Sequence, residues 1–498
     1  MSTSRWTGFA RLWIRYEPLL LLALPIALAI LVCSSTYTTD PDSYFHLGCA
    51  RRIVEGGCIR TLPELPYTTL ADPFPNLYLG QHLLLAPIAW LLPPTLALEV
   101  GVLAMASGLA LSLFLVLRRH GVARAAPWVV LGMLAIPQSL VYALYVKGAA
   151  TFLILLVWFV DAVWRARVRR TFVLAWLSVY VYIGATVLVP FVLVHLAVTR
   201  ATSGRWAWRL LLATLGGLAI GMLVNPGWPA HWAHVVAELR TIVEQDPRLV
   251  PGDLRGAEWA ALSGTQLVRF GGAAMIAWLV VLIRRLGRGD ASSPAAMSGA
   301  ICALGLFGAA MLAGTKMLEL FAIFSLLAVP LVARTATWPR WISGAAAACA
   351  LLLAIANLAR LSDQMARPGL PHPGDYRELA AWLDERTDPG EVVVTPWDDM
   401  PGLFFYGHHQ RFVAGWNVQF LLDADERRFN GYSLLFHGQV ADPENLLPAL
   451  FDGARFLIVR RRAHTQGEQA LTDQLSKSTH FEELAGPVQT WRIFRVRR

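Results

Sequence analysis

The sequence predicts a mainly α-helical protein, a polytopic transmembrane bundle of about eleven helices followed by a C-terminal extracytoplasmic α/β domain. Three observations predict this. Hydrophobic residues make up 56% of the 498-residue chain and charged residues only 15%, with a mean hydropathy of +0.48, whereas a water-soluble enzyme carries a more polar shell. Apolar runs close to bilayer length recur as far as residue 358, and beyond about residue 360 the composition shifts to charges, turns and strand-like runs.

A helix needs roughly 20 apolar residues to cross the hydrocarbon core. Runs that meet or approach this length fall near 18–34, 95–117, 127–145, 148–164, 171–183, 184–199, 209–225, 267–283, 297–314, 317–333 and 341–358. Thr171 to Val198 reads almost as one run. Arg169 and Arg170 precede it and Arg200 and Arg205 follow it, which favours a hairpin returning to the same face. The first run follows basic residues and precedes Cys33-Ser34-Ser35, but it lacks an A-x-A cleavage site and is read as a retained helix.

The net charge of +9 is spread over alternate loops, among them Arg118, Arg119 and Arg124, then Arg165, Arg167, Arg169 and Arg170, then Arg284, Arg285 and Arg288. That is the positive-inside pattern, which predicts a cytoplasmic N-terminus and, with an odd number of spans, an outer tail. Charge distributed in this way makes no nucleic-acid patch. The predicted division is a transmembrane domain over 1–360, whose first outer loop at 36–94 carries interfacial helices, and an extracytoplasmic α/β domain over 361–498.

In the first outer loop, Pro41 suits a helical first turn, Ser43 to Val54 alternates apolar with polar residues, and Gly56-Gly57 stops the run. This predicts an amphipathic helix lying on the membrane. Leu79 to Leu92, ended by Pro93-Pro94, is too short to span comfortably and reads as a second interfacial or re-entrant helix. Cys49 and Cys58 lie in this loop, where a disulfide would persist; two unpaired thiols are the alternative that the spacing leaves open.

The same loop opens with Asp40 and Asp42 beside the first hydrophobic run, where ionisable groups are costly. Such a carboxylate serves as a general base or as an oxygen ligand to a divalent cation. It also serves simply as a charge at a helix N-terminus. Of the three lysines, Lys147 and Lys316 fall in tight outer hairpins, suited to gripping a lipid phosphate or, alternatively, to snorkelling. Glu319 stands at i, i+3 from Lys316 and offers it a structural partner. His231 and His234 stand at the same spacing, as metal ligands or as members of an interfacial belt. Among the acids of that second long loop, Glu258 beside Trp259 lies nearest the next helix and is the candidate binding residue.

In the tail, Asp375 to Glu385 and Glu468 to Leu475 read as helices, and Glu391 to Thr395, Arg411 to Ala414, Phe456 to Arg460 and Thr490 to Val496 as strands. Trp397-Asp398-Asp399 sits at a predicted strand end, either to recognise a polar or sugar-like partner or as a structural turn. His408-His409 reads as a polar turn. Walker loops, G-x-G-x-x-G, G-x-S-x-G and H-E-x-x-H are missing from the sequence, which disfavours nucleotide-dependent work and serine hydrolysis.

Several stretches resemble the GT-C superfamily of membrane glycosyltransferases, in particular oligosaccharyltransferase catalytic subunits and their bacterial relatives. They are Asp40-Pro41-Asp42-Ser43-Tyr44-Phe45-His46, Ala50-Arg51-Arg52, Gly56-Gly57, Asp72, Leu77 to His82, Asn225-Pro226, Glu258-Trp259, Thr315 to Glu319 and Val394 to Tyr406. The resemblance implies an integral inner-membrane protein of a bacterium that transfers a sugar from a polyprenyl-phosphate or -diphosphate carrier to an acceptor at the outer face. It implies an essential first-loop aspartate, Asp42 or Asp40; beside it, the candidate substrate-binding residues are His46, Arg51, Asp72, His82, Lys147, Glu258, Lys316, Trp397 and Asp398. A divalent cation, magnesium or manganese, at Asp42 is one expectation and a metal-independent mechanism the other.

The sequence departs from that pattern in two places. The second outer loop reads Tyr142-Ala143-Leu144-Tyr145-Val146-Lys147-Gly148, with no acidic pair, and Trp397-Asp398-Asp399 is only an echo of the W-W-D-Y-G acceptor motif. A transporter or scramblase of lipid-linked glycans, or an inactive scaffold, are the alternatives in other functional classes.

Overall fold

The computed structural model describes residues 17, 19–22, 24–26, 28, 41–136, 145–236, 263–286, 293–313, 315–333, 340–365, 371–407, 409–461 and 465–497. The chain is mainly helical and divides into two compact units. One unit takes 1–34, 100–225 and 256–364; the other takes 35–99, 226–255 and 365–498. The expected division ran at residue 360. The structure instead groups the first outer loop, at 36–94, with the tail.

In chain order the helices begin with α1 (Pro41–Val54), α2 (Leu79–Leu91), α3 (Pro94–Arg119), α4 (Ala125–Ala135), α5 (Gly148–Trp164), α6 (Val168–Val179), α7 (Leu188–Ser203) and α8 (Trp208–Leu223). Then come α9 (Gly264–Leu286), α10 (Pro294–Ala313), α11 (Thr315–Ala333) and α12 (Arg340–Met365). Among the described residues, Pro94–Arg119 and Ile183–Ser203 are long and apolar enough to cross a membrane, and shorter apolar segments include Gly148–Trp164, Trp208–Leu223 and Ala347–Arg360. The near-continuous run after Thr171 is broken: α6 ends at Val179, a 3₁₀ turn occupies Ile183–Val187, and α7 follows.

Small residues and hydroxyls hold the helical unit together. A Cβ on Gly217 would strike the carbonyl oxygen of Phe172, and one on Gly221 would come within 3.0 Å of the carbonyl oxygen of Trp176, so α6 and α8 approach closely only because both positions are glycine. Tryptophan N–H groups donate across helices, Trp278 to Ser325 at 2.9 Å and Trp158 to Ser112 at 3.0 Å. Each such bond satisfies a donor that would otherwise be stranded among apolar side chains.

The tail adds α13 (Pro373–Asp384), β1 (Val392–Val394), α14 (Met400–Tyr406), β2 (Arg411–Phe412), α15 (Gln419–Ala424), α16 (Glu426–Phe436), α17 (Pro443–Leu450), β3 (Phe456–Arg460), α18 (Gln466–Lys477), β4 (Phe481–Leu484) and β5 (Trp491–Val496). The five strands run in the order β2-β1-β3-β5-β4. Strand β1 pairs parallel with β2 and β3, with Val394 opposite Leu457, and β5 pairs antiparallel with β3 and β4, with Ile458 opposite Ile493. Local chemistry starts the helices: Asp425 accepts the Arg428 N–H at 3.0 Å and Thr465 the Glu468 N–H at 3.1 Å.

The first loop is built into this sheet domain. Tyr67 joins the buried cluster of Val394, Val413, Phe429, Leu457 and Phe494. The Phe412 N–H donates to the Glu64 carbonyl at 2.7 Å and the Thr69 N–H to the Phe420 carbonyl at 3.0 Å. The short β2 edge is thereby covered by the loop.

Candidate active site

Helix α1 starts at Pro41, whose missing N–H costs nothing at a first turn, and Asp42 places its charge at the positive end of the helix dipole. Asp42 is half-buried. From Ser43 to Ala50 every residue of α1 is buried, so this helix does not lie along a surface as its alternating sequence predicted. Its polar positions are covered by α2 on one side and α14 on the other.

Gly48 permits the second of these contacts, because a Cβ there would lie 2.8 Å from the Phe404 ring. Tyr44 packs edge-on to Tyr376 and beside Phe405, and Phe45 stacks on Trp416 with centroids 4.6 Å apart. Trp416 holds a left-handed backbone at φ 62, a conformation that non-glycine residues adopt only where surrounding packing fixes it. Arg52 donates to Glu64 at 2.9 Å and to the Gly407 carbonyl at 3.1 Å, with its guanidinium 3.8 Å from the Phe404 centroid. The aspartate therefore sits on a rigid mount.

His46 and His82, both expected to touch substrate, are buried and hydrogen-bonded to each other. Burial, aided by the neighbouring His46, holds His82 well below the usual histidine range. Arg51 is half-buried on α1, and Asp72 is exposed at a cis peptide bond to Pro73. Asp40 and Glu258 lie outside the described residues.

At the end of β1, the Trp397-Asp398-Asp399 turn divides its labour. Asp399 is wholly buried: it accepts from Tyr376 Oη at 2.8 Å, Trp491 Nε1 at 3.1 Å, and Arg460 at 2.9 and 2.7 Å. Asp398 also pairs with Arg460, at 2.9 Å, but remains one-third exposed, and Trp397 packs half-buried against the tail core. Asp399 is thus a structural anchor, leaving Asp398 and Trp397 as the accessible members of the motif. The aromatic mount of α1 and the Asp399–Arg460 pair were not singled out from sequence. The triplets Tyr44-Phe45-His46 and Phe404-Phe405-Tyr406 were the visible signal of the mount, and the pair had none.

In the helical unit, Lys147 is buried and stands at the N-cap of α5, its Nζ 5.1 Å from the Tyr145 ring centroid. Lys316 belongs to the first turn of α11; its side chain lies outside the described residues. Glu319, one turn on, is buried.

His231 and His234 lie in the same unit as the tail. His231 is buried, and the His234 ring stacks on Phe420 at 4.9 Å. Burial lowers both to about 4, so both are neutral imidazoles at pH 7. Among the described residues no three histidine, cysteine, aspartate or glutamate side chains stand together as a metal site. His46 and His82 share one hydrogen bond, and Asp40, the other carboxylate beside Asp42, lies outside the described residues. Cys49 and Cys58 are free thiols, both buried.

Neither a protein-family model nor the sequence of a curated protein matches this chain. Solved structures do match in fold. The Archaeoglobus fulgidus oligosaccharyltransferase in its apo form superposes with a TM-score of 0.60 at 12% identity, over 92% of this chain and 71% of that one. The same enzyme in complex with Zn and sulfate gives 0.55 at 13%, over 88% and 68%. ArnT from Cupriavidus metallidurans bound to undecaprenyl phosphate gives 0.58 at 12% identity, over 96% and 97%.

Proposed function

We propose, from the premise that this chain has the GT-C-like fold of those proteins, that it is an integral membrane glycosyltransferase. It transfers a sugar from a polyprenyl-phosphate or -diphosphate carrier to an acceptor at the outer membrane face. The observation that carries the proposal is the full-length likeness to ArnT, a structure bound to undecaprenyl phosphate, together with the rigid presentation of Asp42 at the head of α1.

In this reading Asp42 accepts the proton of the acceptor nucleophile. The freed lone pair attacks the anomeric carbon, the new bond to the acceptor forms, and the bond from the anomeric carbon to the carrier phosphate oxygen breaks. The departing polyprenyl phosphate takes the bonding electrons, and Lys147 and Lys316 are assigned to stabilise that charge. Asp398 and Trp397 are assigned to the acceptor, with the partly exposed carboxylate and indole suited to hydroxyl-rich partners.

The reading is tested by reconstituting the full chain in vesicles with a cell-envelope extract as acceptor, supplying radiolabelled polyprenyl-phosphate sugars or nucleotide sugars, and following release of label from each donor. Release from the lipid donor alone supports it. Release from the nucleotide sugar alone, or from neither while the lipid-linked sugar crosses the bilayer, overturns it in favour of a different donor or of a transporter.

A further inference from the structure

We propose that the groove between α6 and α8 is a binding site for an anionic phospholipid of the cytoplasmic leaflet. Its phosphate is held by Arg169 and Arg209, and an acyl chain lies along Phe172, Val173 and Leu212. The groove has a volume of about 690 Å³ and is lined by these five residues together with Val168, Trp208 and Ala213, none of them acidic.

The architecture follows from the sequence. Gly217 and Gly221 let α6 and α8 pack with Phe172 beside Gly217 and Trp176 beside Gly221, so the two helices run in the same direction. Their N-terminal ends, at Val168 and Trp208, therefore lie together. Neither start carries a side-chain cap, so two positive dipole ends lie at the mouth of the groove, and Arg169 and Arg209, both exposed, are among the residues that line it. Below that mouth the wall is apolar, and Val173, Leu212, Leu215 and Ile220 remain exposed. Trp206 and Trp208 are also exposed beside the arginines, where indoles sit at the level of lipid headgroups.

A free phosphate would use the mouth and leave the apolar wall unserved, and a zwitterionic lipid would bring its own cation to two arginines. An anionic lipid matches both ends, and basic pockets between helices on the cytoplasmic side suit such headgroups. The assignment of this end to the cytoplasmic face rests on the positive-inside reading of Arg165 to Arg170 and Arg200 to Arg209.

Native mass spectrometry of the purified full chain in detergent tests the site with dioleoyl-phosphatidylglycerol and dioleoyl-phosphatidylcholine at equal concentration. The wild type is expected to retain dioleoyl-phosphatidylglycerol, the lipid with the glycerol headgroup, preferentially. Each of Arg169→Gln and Arg209→Gln is expected to reduce that preference roughly five-fold, and Leu212→Trp, which fills the groove without touching charge, to reduce retention of bound lipid. Arg200→Gln, outside the groove, leaves it unchanged.

Equal retention of the two lipids by the wild type, or an unchanged preference in the double arginine variant, overturns the proposal. So does displacement of the glycerol lipid by polyprenyl phosphate at lower concentration, which would assign the groove to the carrier. Because the readout is lipid retention, a chain that transfers no sugar still passes or fails this test independently.

Discussion

His46 Nδ1 and His82 Nε2 stand 2.9 Å apart in a fully buried setting, flanked by Phe45, Tyr78 and Trp416. One ring donates its N–H to the lone pair of the other, an arrangement that two imidazolium ions cannot adopt. The pair fastens α1 to α2 and so fixes the helix that carries Asp42.

His82→Ala removes the partner of a buried nitrogen and opens a cavity, so it is expected to lower stability by about 1–3 kcal/mol. Thermal unfolding of the full chain in detergent reads this directly. In combination with His46→Ala the loss should be less than the sum of the two single losses, because both remove the same bond. Strict additivity would show that the pair contributes no coupling.

The two carboxylates of the β1 turn are expected to separate cleanly. Asp399→Asn breaks a buried ion pair and leaves Arg460 under-compensated, at a cost of about 3–5 kcal/mol. Asp398→Asn leaves the buried Asp399–Arg460 pair intact and should cost under about 1 kcal/mol. If Asp398 serves the acceptor, its variant keeps a near-native melting temperature while its KM for acceptor rises. Equal thermal losses in the two variants would refute this division.

Histidines buried as neutral rings make the tail-bearing unit acid-sensitive. His231 and His234 fall from 6.5 to about 4 on folding, so between those values the unfolded chain binds protons that the folded chain does not. Stability is expected to be whole above about pH 6.5 and to decline as the pH falls to about 4, by up to roughly 3 kcal/mol for each ring. A melting temperature measured from pH 7.5 to 4.5 should fall less steeply in His231→Gln with His234→Gln than in the wild type. A parallel decline in both would assign the acid sensitivity elsewhere.

Cys49 is wholly buried, and burial, then its hydrogen bond to Cys58, pushes its thiol well above the ordinary value. Since the thiolate is the reactive form, native protein at pH 7.5 should leave Cys49 unlabelled by N-ethylmaleimide until it is denatured. Peptide mass spectrometry distinguishes the states, and rapid native labelling would contradict the burial of α1.

Helical class, the break between α6 and α7 and four of the five tail strands could be read from hydrophobic runs, arginine placement and β-branched clusters, because these signals are local. Strand β4, Phe-Glu-Glu-Leu, was not legible: it is short, carries two glutamates and is held mainly by pairing with β5. The helix at Pro41–Val54 was legible, but its burial was not. Its Asp42, His46, Arg51 and Arg52 make an amphipathic pattern suited to a membrane surface, and only the tertiary partners His82, Glu64, Phe404 and Trp416 show that protein covers it. The position of Asp42 at a helix start was legible from Pro41. That Asp399 rather than Asp398 would be wholly buried against Arg460 was not, since the arginine lies 61 residues on from Asp399.

In the proposed transfer from a lipid carrier, Asp42 takes the acceptor proton. The most direct measurement of that step is the single-turnover rate of transfer from a radiolabelled polyprenyl-phosphate sugar by the wild type and by Asp42→Asn, an isostere that leaves the helix start and its neighbours in place. A rate lowered by about 10²–10⁴, with an unchanged melting temperature and unchanged donor binding, is the result this account predicts. Transfer by Asp42→Asn at the wild-type rate would contradict it.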